Sequence, residues 1–470
     1  MVDSQEIKQR FDTFRKVTRQ EIDLSPYQNN DLSWLQDQIV HHFTFLYGRE
    51  VSNLETGQFE FDRLLDDGER DFGGYDALIL WGTYPRLGVD ERTQWDFYND
   101  FPAGRQGLRN QIGQVHERGV KVFIPYTPWD QSLALHGWQV DSDDKQLAQL
   151  IQEVDADGVF LDTLSVIDNK LQHAVDSARP GVSFCSEGRA VGVSLQSISC
   201  SWEQSQSRSW EQGNWSAAPE LVHKIDLDRF VFPEHRLFVI NRFATGADRI
   251  RVIQRGFFNG MGWVVWQDVF GLALPYTPQE ATLLKKCRTI FRAHRSAIWG
   301  PNPYPLIPTR VAGVYCNEFG GKGKRIWTFY NDNDHLVEDA VIQIEHGQGT
   351  HFVDLWNETD IKLRGPGLIP VYLEPHSVGA VAELPSILRY SPLEEQVTLS
   401  KPEPDTELHF EQPGSIYVRA VDLETSYGIC HYGSPTISKL LVRLVQNQEV
   451  LDQIVIEKNA PKYSQQPNEF

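Results

Sequence analysis

The hydrophobic pattern of residues 40–295 alternates short apolar runs with amphipathic segments of helical period. Helical patterns lie at 104–119 and 143–155, and a longer one at 277–298 follows the last apolar run. Eight β–α units over about 250 residues are typical of a (β/α)8 TIM barrel, an α/β fold. The predicted strands lie at 41–48, 75–85, 119–130, 157–163, 181–188, 197–202, 236–243 and 261–271.

The same alternation is compatible with an open, doubly wound parallel sheet. That fold usually carries a glycine-rich phosphate-binding turn directly after its first strand. The sequence has no such turn there. We therefore favour the closed barrel.

The pattern changes after residue 300, where short alternating strands follow one another and helical periods are nearly absent. A Pro/Gly segment at 300–308 and a second segment at 389–407 have the composition of linkers. Alternating strands without helices predict an all-β sandwich. The predicted domains are a barrel with an N-terminal helical extension at 1–299, a β-sandwich at 300–390, and a small β-rich unit at 391–470 that ends in a disordered tail.

Charge and composition narrow the class of ligand. The chain has 44 Lys and Arg against 64 Asp and Glu, a formal net charge of −20, which repels phosphate backbones and excludes nucleic acid as the expected partner. Aromatic residues make up 11% of the chain, and beside many carboxylates they suit a neutral polyhydroxylated ligand. No apolar run approaches the ~20 residues of a membrane helix, so no membrane partner is expected.

Five isolated cysteines indicate a reducing compartment. None lies in a C-x-x-C pair or at zinc spacing, and no histidine cluster has metal-ligand spacing, so we expect no metal and no cofactor. The first residues are charged and helical in pattern, without the apolar core of a signal peptide. These features predict a cytoplasmic protein and leave its oligomeric state open. The cysteines are Cys185, Cys200, Cys287, Cys316 and Cys430.

Polar and aromatic residues gather where the predicted barrel strands end. In a TIM barrel these ends converge on the one face that carries the chemistry. Aromatic rings stack on the C–H faces of sugars and carboxylates bind hydroxyl groups, so the pattern predicts a carbohydrate substrate. The candidate substrate-binding residues are Trp81, Tyr84, Arg86, Tyr126, Trp129, Asp130, Trp202, Glu203, Arg242, Trp266 and Asp268.

Two carboxyl residues are candidates for catalysis. Asp162 ends the fourth predicted strand and Glu187 ends the fifth, 25 residues later. Glycoside hydrolysis needs two carboxyl groups that flank the bond to be cleaved. Residues at the ends of adjacent strands lie near the ~5–5.5 Å separation of a retaining enzyme, below the ~6.5–9.5 Å of an inverting one. The pair therefore predicts a retaining mechanism.

Each carboxylate also has a structural interpretation. Asp162 is placed to cap the helix predicted after it, and Glu187 would suit a solvated turn. Asp268 would either bind sugar hydroxyls or form an ion pair with Arg242.

The aromatic candidates have a structural interpretation too. Large aromatic residues usually belong to a core, so Trp81, Trp129 and Trp266 fit packing as well as binding. In the β-sandwich, core positions are expected for the aromatic residues that would otherwise bind polysaccharide, namely Trp327, Tyr330 and Trp356.

Four segments together resemble a group of bacterial (β/α)8 glycoside-hydrolase-like proteins. The segments are 72–104, 118–130, 156–164 (ADGVFLDTL) and 256–271, and the resemblance spans about residues 5–300. That group is distantly similar to endo-α-N-acetylgalactosaminidase, α-galactosidase and α-amylase barrels. The resemblance implies that Asp162 is the nucleophile, that Glu187 is the general acid/base, and that a β-sandwich follows the barrel.

These observations predict a retaining glycoside hydrolase that cleaves an α-linked glycoside through a covalent glycosyl-enzyme. Two alternatives stay open. One is a carbohydrate-binding barrel without turnover, and the other is a transglycosylase that uses the same two residues and passes the sugar to another acceptor.

Overall fold

A computed structural model gives the architecture of the chain. It describes residues 4–53, 55–82, 92–130, 142–204, 221–240, 247–267, 274–321, 323–346 and 350–389, and the strand segments 396–399, 405–410, 416–422, 426–431, 439–446 and 449–457. The chain divides into two compact units, 2–292 and 293–470.

The first unit contains a closed barrel of parallel strands in sequence order, β1 to β8, with β8 paired to β1. Six strands lie within the predicted runs, β1 begins one residue before its run and β6 ends one residue after its run. The TIM-barrel prediction is confirmed. The strands are β1 (Val40–Phe45), β2 (Ala77–Trp81), β3 (Lys121–Tyr126), β4 (Gly158–Leu161), β5 (Ser183–Ser186), β6 (Cys200–Glu203), β7 (Arg236–Ile240) and β8 (Gly262–Trp266).

Helices follow most of these strands and form the outer layer. The connection from β5 to β6 contains only a 3₁₀ turn, Gly192–Gln196, in place of a full helix. The helices of this unit are α1 (Ser4–Arg19), α2 (Phe61–Phe72), α3 (Gly104–Glu117), α4 (Asp143–Val154), α5 (Asn169–Ala178), α6 (Leu227–Val231), α7 (Ala247–Asn259) and α8 (Pro278–Ala293).

The barrel interior is filled by every second residue of each strand, as side chains alternate between the two faces of a sheet. Phe123 of β3 and Gly158 of β4 show how closely this interior is packed. A β-carbon at Gly158 would lie 2.2 Å from the Phe123 ring, so only glycine fits beside it.

Near the C-terminal end of the barrel, five inward aromatic side chains form a continuous layer, here called the aromatic cluster. Phe43 stacks on Trp266 with 4.3 Å between ring centroids, and Phe160 lies 4.1 Å from Trp202. These side chains are 1–2% exposed and close the barrel beneath its mouth. The members are Phe43, Trp81, Phe160, Trp202 and Trp266.

At the opposite end, Asp157 precedes β4 and ties the strand to its neighbours. Its buried carboxylate accepts hydrogen bonds from the Val122 amide (2.9 Å), from Lys121 Nζ (3.0 Å) and from Arg179 Nη2 (3.2 Å), and lies 2.7 Å from His116 Nε2. Burial alone would raise the pKa of Asp157, but the hydrogen bond and charge of His116, the charge of Lys121 and the Val122 amide lower it to about 2.

A change of Asp157 to asparagine tests this linkage. A carboxylate with a lowered pKa in the folded state stabilises the fold above its unfolded-state pKa of about 3.9, and this contribution is lost as the pH falls to about 2. We expect Asp157→Asn to lower the free energy of unfolding by about 2 kcal/mol at pH 7 and by much less near pH 2. Urea titrations at both pH values measure the difference, and an equal loss at both would contradict the linkage.

The second unit begins with α9 (Arg295–Ile298) and is then built from antiparallel strands. One sheet runs β13-β12-β15-β10-β9 with β18 and β19 attached, β11 pairs with β14, and a four-stranded sheet runs β16-β17-β20-β21. The strands are β9 (Val314–Gly321), β10 (Lys324–Asn331), β11 (Val337–Gln343), β12 (Thr350–Asp354), β13 (Thr359–Ile361), β14 (Leu368–Leu373), β15 (Val378–Arg389), β16 (Gln396–Leu399), β17 (Asp405–Phe410), β18 (Ile416–Asp422), β19 (Ser426–His431), β20 (Lys439–Gln446) and β21 (Glu449–Glu457).

One apolar core joins the β9–β10–β12–β15 face to the β11–β14 pair, which confirms a β-sandwich after the barrel. Trp327 and Tyr330 are buried in this unit, as expected of core residues, whereas Trp356 is partly exposed. The predicted linker 389–407 was wrong in part, because β16 lies within it. The predicted disordered tail lies outside the described residues. Four of the five cysteines are buried free thiols, and none of the helices in the described ranges is both long and apolar enough to cross a membrane.

Candidate active site

Asp162 and Glu187 occupy equivalent positions at the rim of the barrel. Each is the first residue after its strand, and the main-chain pairing of the strands continues through both of them. The amide of Asp162 donates to the carbonyl oxygen of Tyr126 (3.0 Å), and the amide of Glu187 donates to that of Leu161 (3.1 Å). The backbones of both residues are therefore fixed by the barrel itself.

Alternation along the strands directs both carboxylates toward the barrel axis. Phe160 and Cys185 belong to the interior, and Asp162 and Glu187 follow them by two positions. Asp162 is buried, with 2% of its surface exposed, and Glu187 is partly exposed. The structure thus brings the two predicted catalytic residues together on the inner rim.

A hydrogen bond links the two strand ends through Thr163. The amide of Thr163 donates to Oε2 of Glu187 (2.7 Å), and its hydroxyl donates to the carbonyl oxygen of Asp162 (2.7 Å). Thr163 has a φ of 60°, in the left-handed region that a β-branched residue rarely adopts. This backbone turn is what points the amide at the Glu187 carboxylate.

The helix-capping interpretation of Asp162 is wrong. The cap of α5 is Asp168, whose side chain accepts the amide of Lys170 (2.9 Å). Asp162 lies six residues earlier and does not cap this helix.

Two further residues of the inner rim were missed by the sequence reasoning. Gln204 follows Trp202 by two positions, and its Nε2 donates to the carbonyl oxygen of Glu187 (3.0 Å). Thr127 follows the last residue of β3 and continues the register that pairs Tyr126 with Leu161, which places it beside Asp162. Its hydroxyl is buried and has no hydrogen-bond partner in the described structure. Both positions could have been predicted from the alternation of inward and outward side chains along the strands.

Gln94 fixes the end of β3 from the loop that follows β2. Its side-chain amide donates to the carbonyl oxygen of Thr127 (2.8 Å) and its side-chain oxygen accepts the Thr127 amide (2.8 Å). Its own backbone amide donates to Oδ2 of Asp130 (2.6 Å). Asp130 is 7% exposed, and burial raises its pKa although the Gln94 amide opposes this. The predicted substrate-binding residue Asp130 therefore has a structural role at this strand end.

The tryptophan candidates divide into buried and exposed residues. Trp81, Trp202 and Trp266 belong to the aromatic cluster and are at most 2% exposed, so they pack beneath the carboxylates and present little surface to a ligand. Trp129 follows β3 and is 51% exposed. Of the described tryptophan candidates, Trp129 alone has the open surface that sugar stacking requires.

Tyr126 and Glu203 were also predicted to bind substrate, but they occupy the strand positions whose side chains point away from the barrel axis. The hydroxyl of Tyr126 donates to Oδ2 of Asp143 (2.8 Å) at the start of α4, and burial, together with this carboxylate, raises the pKa of the phenol. Glu203 is buried and pairs with Arg189. Both side chains face the helix layer, which argues against direct contact with a substrate.

Glu203 is part of a set of charges, here called the outer ionic network, in which Glu203, Asp226 and Arg255 are buried and Arg189 and Asp228 are partly exposed. Arg189, two residues beyond Glu187, also pairs with Asp226 (2.6 Å) and Asp228 (3.0 Å). Arg255 of α7 lies 2.8 Å from Asp226 and 4.0 Å from Glu203. The network ties the loop after β5 to the end of β6, to the start of α6 and to α7. Its members are Arg189, Glu203, Asp226, Asp228 and Arg255.

Comparison with known proteins finds similar folds among solved structures. No family model matches the chain, and no curated protein matches it. Solved structures do match. An α-amylase from Geobacillus thermoleovorans, in complex with acarbose, is 13% identical with a TM-score of 0.52, and the match covers 74% of this chain and 98% of that one.

Two other structures have similar scores. A maltogenic α-amylase from Thermotoga neapolitana is 11% identical with a TM-score of 0.53, covering 74% of this chain and 99% of that one. A cyclomaltodextrinase is 12% identical with a TM-score of 0.53, covering 75% and 79%. At these identities the likeness shows a common fold, and it confirms the predicted resemblance to α-amylase-type barrels at that level.

Four predicted substrate-binding residues, Tyr84, Arg86, Arg242 and Asp268, lie outside the described residues. Within the described ranges, no group of three or more His, Cys, Asp or Glu side chains is arranged to hold a metal ion.

Proposed function

We propose that this protein is a retaining glycoside hydrolase that acts on an α-linked glycoside. The observation that carries the proposal is the placement of Asp162 and Glu187 on the inner rim of adjacent strands, linked by the Thr163 amide. This reaction requires two carboxyl groups that flank the bond to be cleaved. Two carboxyl groups that point inward at one barrel mouth meet this requirement. The fold common to this chain and the amylases supports an α-linked glycan as the substrate.

In the first step, the Asp162 carboxylate attacks the anomeric carbon while Glu187 gives its proton to the leaving oxygen, and the glycosidic C–O bond breaks. This leaves the sugar as an ester of Asp162. In the second step, the Glu187 carboxylate takes a proton from water, whose oxygen displaces Asp162 from the anomeric carbon. Two inversions at this carbon retain its configuration.

The residues around the pair hold it in place for these steps. Gln204 and Thr163 contact the backbone and the side chain of Glu187, and the aromatic cluster forms a rigid apolar floor beneath Asp162. A fixed geometry lowers the entropic part of the barrier.

Trp129 is expected to bind the sugar ring at this mouth. Because its ring is half exposed, Trp129→Ala should raise KM by about tenfold, an amount typical of one lost stacking contact, and change the free energy of unfolding by less than about 1 kcal/mol. Steady-state kinetics and urea unfolding measure the two effects. An unchanged KM would remove Trp129 from the binding site.

The experiment that tests the function is a screen of α- and β-linked aryl glycosides and of α-linked oligosaccharides. We expect turnover of an α-linked substrate, and NMR of the first product formed should show the α anomer. A β anomer as first product would overturn the retaining mechanism. Products longer than the substrate would show that the protein is a transglycosylase instead of a hydrolase. Glycan binding without any product would show that it is a carbohydrate-binding barrel.

A further inference from the structure

A second cleft lies at the end of the barrel opposite to the carboxylates. It has a volume of about 160 Å³ and is formed where the N-terminal extension crosses the chain segments that enter β5 and β6. Val182 and Ser199 of its lining precede these two strands directly. It therefore has no residue in common with the proposed catalytic mouth.

Two hydrogen bonds fix the N-terminal extension against the barrel beside the cleft. The hydroxyl of Tyr27 donates to the carbonyl oxygen of Ile198 (3.0 Å), and Trp34 Nε1 donates to that of Gly181 (3.3 Å). Gly181 has a φ of 79°, and a β-carbon there would lie 2.8 Å from the carbonyl oxygen of Asp31. The extension thus docks on the barrel at two sites and leaves a preformed space between them.

The cleft has an apolar floor and a polar rim. Pro26, Tyr27 and Leu32 of the extension form this floor and are partly exposed, and Val182, Phe184 and Ile198 are buried beneath it. Gln172 and Asp176 stand four residues apart on α5 and so share one face of the helix, and Gln196 and Ser197 face them from the chain before β6. None of these four rim side chains makes a hydrogen bond within the described part of the chain. The rim therefore offers unused donors and acceptors above an apolar surface.

The charges of the lining select the kind of ligand. Among the described residues that line the cleft there is no lysine or arginine, which disfavours phosphate and other anions. Asp176 is the one carboxyl group of this lining, and burial raises its pKa, although the charge of His173 acts in the opposite direction. One carboxyl group, with no second acidic side chain in the described lining, is a weak site for a cation, and its oxygens can accept hydrogen bonds from the hydroxyl groups of a neutral ligand.

We propose that this cleft binds a neutral, polyhydroxylated ring of the size of one monosaccharide. The floor would contact one face of the ring, and the amide, hydroxyl and carboxyl groups of the rim would bind its hydroxyl groups. An enclosed cavity of about 150 Å³ holds the six-membered ring of benzene. This cleft is partly open, so the hydroxyl groups of a sugar ring can extend to its rim. The bound ring would bridge the extension and the barrel, so it stabilises the folded state by mass action. This proposal is independent of the proposed function.

Saturation-transfer NMR and thermal unfolding of the full chain test it, with D-glucose, D-galactose and myo-inositol as probes and choline as the cationic comparison. At least one neutral probe should bind saturably below ~10 mM and raise Tm. Ser197→Trp, which fills the cleft, and Gln172→Ala should each weaken binding at least tenfold. The matched control is Ser177→Ala on the same helix, an exposed residue that is not part of the cleft lining and that should leave binding unchanged.

Two more variants assign the binding site and the ligand class. Trp129→Ala at the barrel mouth should leave this binding unchanged, and Asp176→Asn should weaken it less than tenfold, because a neutral ring also bonds to an amide. The proposal is overturned if none of the neutral probes binds, if Trp129→Ala removes the binding while Ser197→Trp retains it, or if choline binds and loses affinity in Asp176→Asn. Circular dichroism confirms the fold of each variant.

Discussion

Replacement of Asp162 by asparagine is expected to lower kcat by about 10³-fold or more on any substrate that the protein turns over. The amide has nearly the shape of the carboxylate but cannot form the ester with the anomeric carbon. Asp162 is buried and its backbone is fixed by the Tyr126 carbonyl, so the variant should fold. Kinetics on the best substrate of the screen measure the loss, and circular dichroism checks the fold.

Glu187→Gln is the matched control for this experiment, because the two carboxyl groups act at different points. A leaving group that departs without protonation, such as dinitrophenolate, should restore the first step in Glu187→Gln and leave Asp162→Asn inactive. The glycosyl ester should then accumulate and appear in the mass spectrum of the intact protein. Full activity of Asp162→Asn would refute the nucleophile assignment, and equal inactivity of both variants on the activated substrate would refute the division of roles.

The largest expected effect on stability belongs to the aromatic cluster. Trp202 is 1% exposed, lies 4.1 Å from Phe160 and meets Trp266 edge to face at 5.7 Å between centroids. Trp202→Ala removes this ring from a closed interior that cannot collapse around the space. We expect the free energy of unfolding to fall by about 3–5 kcal/mol, as measured in urea.

Trp202→Phe and Trp129→Ala are the comparisons that identify the cause. Phenylalanine keeps most of the buried area and should cost clearly less than alanine. Trp129 is half exposed, and its removal should act on binding rather than on folding. If Trp202→Ala and Trp129→Ala destabilise the protein equally, the core role of Trp202 is wrong.

The barrel could be predicted from the sequence because its strands are buried on both faces. Such strands are short apolar runs that stand out from amphipathic helices, and β2 and β8 are clear examples. Asp162 and Glu187 could be selected as candidates for the same reason, since each carboxylate lies where an apolar run ends. The break in composition near residue 300 likewise marked the change to antiparallel strands.

The role of each strand-end residue depends on which way its side chain points, and the apolar runs do not show this. A position shifted by one residue moves a side chain from the axis to the helix layer. Trp202 and Glu203 are neighbours in sequence, yet one packs in the interior and the other pairs with Arg189 outside. The partners of Glu203 come from distant segments, and no local pattern connects them. Gln204 carries no charge or ring and did not stand out.

The outer ionic network has a consequence for loop grafting, in which specificity is changed by exchanging a barrel loop for that of another protein. Arg189 belongs to the loop after β5, but its partners Asp226 and Asp228 lie at the start of α6, in the connection from β6 to β7. A graft that replaces the first loop alone removes Arg189 from the buried Glu203 carboxylate, whose contact with Arg255 is longer, at 4.0 Å. Breaking a buried ion pair in this way costs about 3–5 kcal/mol. The loop after β5 and the connection from β6 to β7 therefore have to be exchanged as one unit, together with Arg255.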